Sequence, residues 1–107
     1  MKITAIKYFD AFGKKDISAI RDILDNNVKL RDWEMNASGI DSVLAATAKI
    51  FCSAEVISIK IINILQHQTF VVAELDITIN NINSIHVVDI IEFNSNGKIG
   101  AIRAFKG

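Results

Sequence analysis

An α+β domain, with a curved antiparallel sheet wrapped around helices, is predicted by two changes of rhythm along the chain. In the first half, apolar residues recur at helical spacing; in the second, they alternate within long β-branched runs. Helices therefore come first and a four-strand meander follows. At 107 residues the chain is one domain spanning residues 1–107, large enough for a real core and too small for two.

The elements follow in order. Ala5, Tyr8, Phe9 and Phe12 share one helical stripe, and Gly13 is placed to end that helix. Asp16 suits the N-cap of a second helix that turns Ile20, Ile23 and Leu24 inward and stops at Asn26-Asn27. VKLRDWEM, residues 28–35, reads as a short strand. A third helix runs from about Ile40 to Cys52, with Ile40, Val43, Leu44, Thr47, Ala48 and Phe51 on one stripe. EVISIKIINIL, TFVVAELDITI, SIHVVDIIEFN and KIGAIRAF are then four strands, joined at QHQ, NNIN and NSNG by turns of hairpin type.

Composition excludes several classes of function. Half of the residues are apolar and 22% are charged, so the chain is not disordered. Twelve basic residues balance twelve acidic ones without clustering, which leaves no footprint for nucleic acid or an anionic membrane. The most apolar run, Val56 to Leu65, has ten residues and contains Lys60, too short and polar to span a bilayer. Met1-Lys2 runs straight into a helical pattern without the features of a signal peptide, and the lone Cys52 reads as core. A cytoplasmic location is expected. His, Cys and acidic residues show no metal-ligand spacing, and GKIG between a turn and a strand is the wrong context for a phosphate loop, so no cofactor is expected.

Strand parity exposes a conflict. Val28, Leu30 and Asp32 share one face of the first strand, opposite Lys29 and Arg31, so the carboxyl points where the hydrophobes are buried. The same count in SIHVVDIIEF puts Asp89 on a face with Ile85, Val87, Ile91 and Phe93. An isolated carboxylate in apolar surroundings costs several kcal/mol or takes up a proton. Two in one cavity push their titrations apart, leaving one a base and the other a neutral hydrogen-bond donor. Tyr8, the only tyrosine, lies on the inward stripe with Phe12 and would add a second donor. Val87 and Ile91 beside Asp89, Phe12 beside Tyr8, and Trp33 after Asp32 are candidates for the pocket wall. Plainer readings stand beside these. The strand ends at Arg31 and Asp32 meets solvent in a turn; Asp89 bonds to backbone; Tyr8 is a core residue; Trp33 packs outside the pocket.

On these residues the chain resembles the nuclear transport factor 2-like superfamily, which includes SnoaL-like polyketide cyclases, and within it most of all the Δ5-3-ketosteroid isomerases. YFDAFGKKD carries Tyr8, VKLRDW carries Asp32, and VVDIIEFNSNGKIGAIRAFKG carries Asp89. The resemblance implies a cone-shaped, cystatin-like fold. It implies that Asp32 shuttles a proton between carbons next to a carbonyl while Tyr8 and a neutral Asp89 hold the enolate oxygen. Trp33 stands where the isomerases tend to have proline, which places the substrate in question more than the fold.

Three functions follow: cofactor-free proton transfer on a small apolar carbonyl compound, a ligand-binding or dimerisation module without turnover, and cyclase- or epoxide-hydrolase-type chemistry by the same acids. Val72, Val88, Ile90 and Ile102, assigned to the outer strand faces, make an apolar patch suited to a homodimer.

Overall fold

The computed structural model describes residues 1–107 as three helices and one curved, unclosed six-stranded sheet, an α+β cystatin-like architecture. α1 (Lys2–Gly13) and α2 (Ile17–Ile23) lead into β1 (Leu24–Arg31), then β2 (Asn36–Ser38) and α3 (Ile40–Ser53). The meander is β3 (Ile57–His67), β4 (Phe70–Ile79), β5 (Asn83–Phe93) and β6 (Ile99–Lys106). The spatial order is β2-β1-β6-β5-β4-β3, antiparallel throughout except where β1 runs parallel to β6. Between the two members of that parallel pair the chain passes through β2, α3 and the first three strands of the meander before the last strand is laid in beside the first.

Local chemistry accounts for the element boundaries. The Asp16 carboxyl accepts from the Ala19 amide at 3.0 Å, as an N-cap does. α1 continues through Gly13, and the left-handed residue after it is Lys15, at φ 57°, whose ammonium donates to the Ala54 carbonyl at the end of α3. A Cβ at Gly13 would stand 3.6 Å from the Ile57 carbonyl, an ordinary contact, so neither space nor backbone demands glycine there. The second helix ends at Ile23, short of Asn26-Asn27, because Leu24 is already extended (φ −93°, ψ 143°) and enters the sheet. β2, three residues long, is too short to show any periodicity. At the hairpin between β4 and β5, Asn80 and Asn81 both have positive φ, which asparagine tolerates.

Three readings of the sequence are corrected. Cys52 is exposed, because the stripe of α3 turns Phe51 inward and the next residue outward. Ile102 faces inward and is 2% exposed, because β6 is aligned by its pairing with Ile91 and Leu30, both core residues. Ile91 is fully buried in the main core cluster and is not part of the pocket wall. The same face of β5 passes from cavity wall to packed core between Asp89 and Ile91.

The core that closes the inner face is built on Ile20, Val28, Val43, Val71, Ile91 and Ile99, all 0–1% exposed. Ile91→Ala removes side-chain volume from a site with no room to collapse. It is expected to lower stability by about 2–5 kcal/mol, read from urea unfolding. Ligand binding at the other end of the inner face should persist in the folded fraction.

Candidate active site

Where the helices leave the inner face of the sheet uncovered, a cavity of about 330 Å³ remains. Sixteen of its twenty lining residues are hydrophobic, and the polar exceptions are Asp32, Glu34, Ser53 and Asp89. No Lys, Arg or His lines it. Tyr8, Phe12, Trp33 and Val87 are in the wall, so of the residues singled out in the sequence only Ile91 lies elsewhere.

α1 supplies Tyr8 and Phe12, one turn apart, with ring centroids 5.9 Å from each other, and Phe12 packs edge-on against Phe51 of α3. Tyr8 is 5% exposed. Burial first, then the charges of Asp89 and Asp32, push its hydroxyl far above the ordinary phenol range. At any pH the folded protein meets, Tyr8 carries its proton and can donate it in a hydrogen bond.

β5 supplies Asp89, 7% exposed, between Ala73 of β4 and Ala104 of β6 in the ladder. Small neighbours on both sides leave room over the carboxyl. Burial, and secondarily the charge of Asp32, push it up from 3.8 to about 7. No protein hydrogen bond contributes to the shift of Tyr8 or of Asp89, and every fully buried polar side-chain atom has a partner. The oxygens of both groups are therefore open to the cavity.

Asp32 reaches the cavity by a different route from the one strand parity suggests. β1 ends at Arg31, and Asp32 begins the turn to β2. Its Oδ1 accepts from the amides of Glu34 (2.7 Å) and Met35 (2.6 Å), and its own amide donates to the Met35 carbonyl at 3.0 Å. The turn is fixed by the side chain of its first residue, as an aspartate turn is. Oδ2 is left free. Asp32 is half-buried and Trp33 is 43% exposed, so this turn forms the mouth while Asp89 and Tyr8 sit within.

Sequence reasoning overlooked Glu34 and Ser53. Neither lies on a strand face, and only the closure of the β1–β2 turn and the end of α3 brings them to the cavity. Arg103 partners Glu92 at 3.4 Å on the outer sheet face, and His86 partners Glu74 there at 2.7 Å, away from the cavity. No group of three potential ligands could hold a metal ion, and no helix is long and apolar enough to cross a membrane.

The upward shift of Asp89 sets a sign for stability. The folded state holds its proton more tightly than the unfolded chain. Its contribution is therefore complete below 3.8 and is lost as pH rises to about 7. The full change is on the order of 4 kcal/mol at about 1.4 kcal/mol per pH unit. Asp89→Asn is expected to match the parent in urea midpoint near pH 4 and to exceed it near pH 8. A constant difference between the two proteins across that range would show that Asp89 is ionised freely in the fold.

A search of curated protein sequences finds no match. Solved structures show the fold clearly at low identity. A candidate SnoaL-like polyketide cyclase from Shewanella denitrificans superposes with TM-score 0.88 at 12% identity, covering 99% of this chain and 89% of the other. A candidate ketosteroid isomerase from Kribbella flavida gives 0.86 at 14%, covering 98% and 76%. The epoxide hydrolase/cyclase-like enzyme SalBIII, which acts in pyran ring formation in salinomycin, gives 0.85 at 20%, covering 99% and 89%. Residues 5–102 match the model of the SnoaL-like domain, which takes in every strand but the end of the last and includes Tyr8, Asp32 and Asp89. The chain belongs to the SnoaL-like family of nuclear transport factor 2-like domains.

Proposed function

We propose that the cavity takes a small apolar carbonyl compound and moves a proton between carbons next to that carbonyl, without a cofactor. The observation that carries this reading is the separation of two carboxyls within one apolar cavity. Asp32, held by two amides of its own turn, presents a free Oδ2 at the mouth, and Asp89, without a partner, is pushed up to about 7 inside. In this reading Asp32 removes the proton and returns it elsewhere on the substrate. Tyr8 and protonated Asp89 donate to the oxygen on which enolate charge develops. Both groups lack a protein partner, so neither must give up a hydrogen bond to serve the substrate. The isomerase and cyclase descriptions of the structural neighbours support the same class of chemistry.

The test is turnover of a panel of small β,γ-unsaturated ketones, steroid and non-steroid, followed by absorbance of the conjugated enone. Asp32→Asn should lower kcat/KM by about 10² or more, the scale for a positioned general base. Tyr8→Phe and Asp89→Ala should each cost about 10²–10³, the scale for one oxyanion donor. Activity should fall as pH rises through about 7, where Asp89 loses the proton it donates. An absence of turnover, with Asp32→Asn binding the same ketones as tightly as the parent, would instead favour a binding module.

Assembly as a homodimer belongs to the same reading. On the outer sheet face Leu65, Val72, Ile90 and Arg103 form one cross-strand row, and Asn63, Glu74, Val88 and Phe105 the next. Leu65 is 67% and Phe105 54% exposed, beside the Glu74–His86 and Glu92–Arg103 pairs. A second copy of this chain, related by a twofold axis, would cover the apolar centre and set acid against base at its rim. Light scattering at micromolar concentration should give twice the monomer mass, and Phe105→Glu should halve it.

A further inference from the structure

The two acids of the cavity stand at one level of the sheet. Arg31 pairs with Arg103, and Ala104 with Asp89, so Asp32 leaves the end of β1 level with Asp89. From that level toward the β4–β5 hairpin the lining changes character. β5 presents Val87 and then Ile85, β4 presents Leu75, Ile77 and Ile79, and Ile59 of β3 flanks them. Leu75 lies opposite Val87, and Ile77 opposite Ile85, which makes a continuous aliphatic strip with one step every two residues. No polar side chain interrupts it. Glu34 and Ser53, the other polar residues of the lining, are exposed, and the Ser53 hydroxyl already donates to the Ile50 carbonyl at 2.7 Å.

Burial changes along the strip. Leu75 and Val87 are 1% exposed, whereas Ile77, Ile79 and Ile85 are only half-buried although they face inward. They are apolar surface still in contact with water, and removing it from water is what a ligand there gains. On the other side of Asp89 and Ala73 the same face is closed, since Ile91 and Val71 are fully buried. A molecule whose oxygen meets Tyr8 and Asp89 therefore carries its apolar body toward the hairpin, where nothing on the strip can bond a second polar group. Four residues of strand separate Asp89 from Ile85, about 13 Å at about 3.3 Å per residue. An extended hydrocarbon chain advances about 1.3 Å per carbon, so about ten carbons cover that distance.

We propose that the ligand of this cavity is a long aliphatic ketone with a single oxygen function, its carbonyl at Tyr8 and Asp89 and its chain laid along Val87, Leu75, Ile85 and Ile77 toward the hairpin. The proposal rests on the reading of this cavity as the ligand site and names the body of the substrate for the proposed reaction. Ile77 and Ile85 are then specificity-determining residues, which touch the far half of the chain and take no part in moving the proton.

The test is binding of saturated methyl ketones of increasing length, 2-hexanone, 2-octanone, 2-decanone and 2-dodecanone, to the full chain near pH 6, where Asp89 holds its proton. Trp33, the only tryptophan and part of the wall, reports binding by its fluorescence. Affinity should rise about fourfold per added methylene, the scale for burying one CH₂ group in an apolar site. 2,7-Dodecanedione sets a second carbonyl at the level of Val87 and Leu75, where no donor meets it. It should bind about tenfold or more weakly than 2-dodecanone, and this comparison needs no variant. Ile85→Thr and Ile77→Thr put a hydroxyl on the strip while keeping a β-branched residue in the strand. Each should cut the ratio of 2-dodecanone to 2-hexanone affinity several-fold. Affinity independent of chain length, dione binding as tight as that of the monoketone, or a length dependence untouched by both substitutions would overturn the proposal. Exchange of the α-hydrogens of the same ketones for deuterium in heavy water reads the reaction separately. Length-dependent binding without exchange removes proton transfer alone, and exchange without length dependence removes this proposal alone.

Discussion

A carboxyl group without a protein partner, held in an apolar cavity, opposes folding whenever it ionises, and the free energy it costs must come from elsewhere in the domain. Asp89 is that group. It sits on an inner strand, hydrogen-bonded through its backbone on both sides, so the chain cannot turn it out to water without breaking the ladder between β4 and β6. The rest of the architecture reads as the means of holding that position. Ile20, Val28, Val71, Ile91 and Ile99 are packed to near-zero exposure at the closed end of the inner face, where the helices lie against the sheet. The stability concentrated there offsets a destabilised acid a few residues along the same strand.

Asp32 shows the opposite solution to the same problem. It is the same chemical group, lining the same cavity, yet it is tied to two backbone amides within its own turn. Those donors satisfy one oxygen and leave the other free. Distance from the mouth and the presence of backbone donors thus separate the two acids, and the charge of the first helps keep the second protonated. Tyr8 is the third member because α1 crosses the inner face with Tyr8 and Phe12 on one stripe, and because burial leaves its hydroxyl no means of ionising.

Much of this was legible in the sequence because period alone decides it. The alternation in SIHVVDIIEF could put Asp89 only with Val87 and Ile91, and the helical spacing of Ala5, Tyr8 and Phe9 fixed which side of α1 is inward. What escaped depends on where elements stop and what they meet. Parity assigned Asp32 to the inner face by carrying the strand on past Arg31, and the side chain arrived there through a turn. Ile91 shares its face with Asp89, but the boundary between wall and core is set by the helices packed against the sheet, which alternation does not encode. The outward position of Ile102 failed for a related reason, since its register is fixed by partners in β1 and β5 that are far away in sequence. Glu34, two residues past Asp32, reaches the cavity through the same turn and not through a strand face, and β2, a strand of three residues, is too short to show a period.

The fold sets the outline of the cavity but not its chemistry. Neighbours with TM-scores of 0.85–0.88 carry descriptions as different as isomerase, polyketide cyclase and epoxide hydrolase/cyclase-like enzyme, at identities of 12–20%. A cone open at one end is therefore compatible with several reactions, and the choice among them lies in which polar groups enter it. In this chain those groups are acids and a phenol, set in a hydrophobic lining with no base. Such a set can accept a proton at Asp32 and donate hydrogen bonds from Tyr8 and Asp89, but it offers no fixed positive charge to an anion. The proposed reaction rests on one feature of the lining: every ionisable group the fold admits to this cavity is an acid.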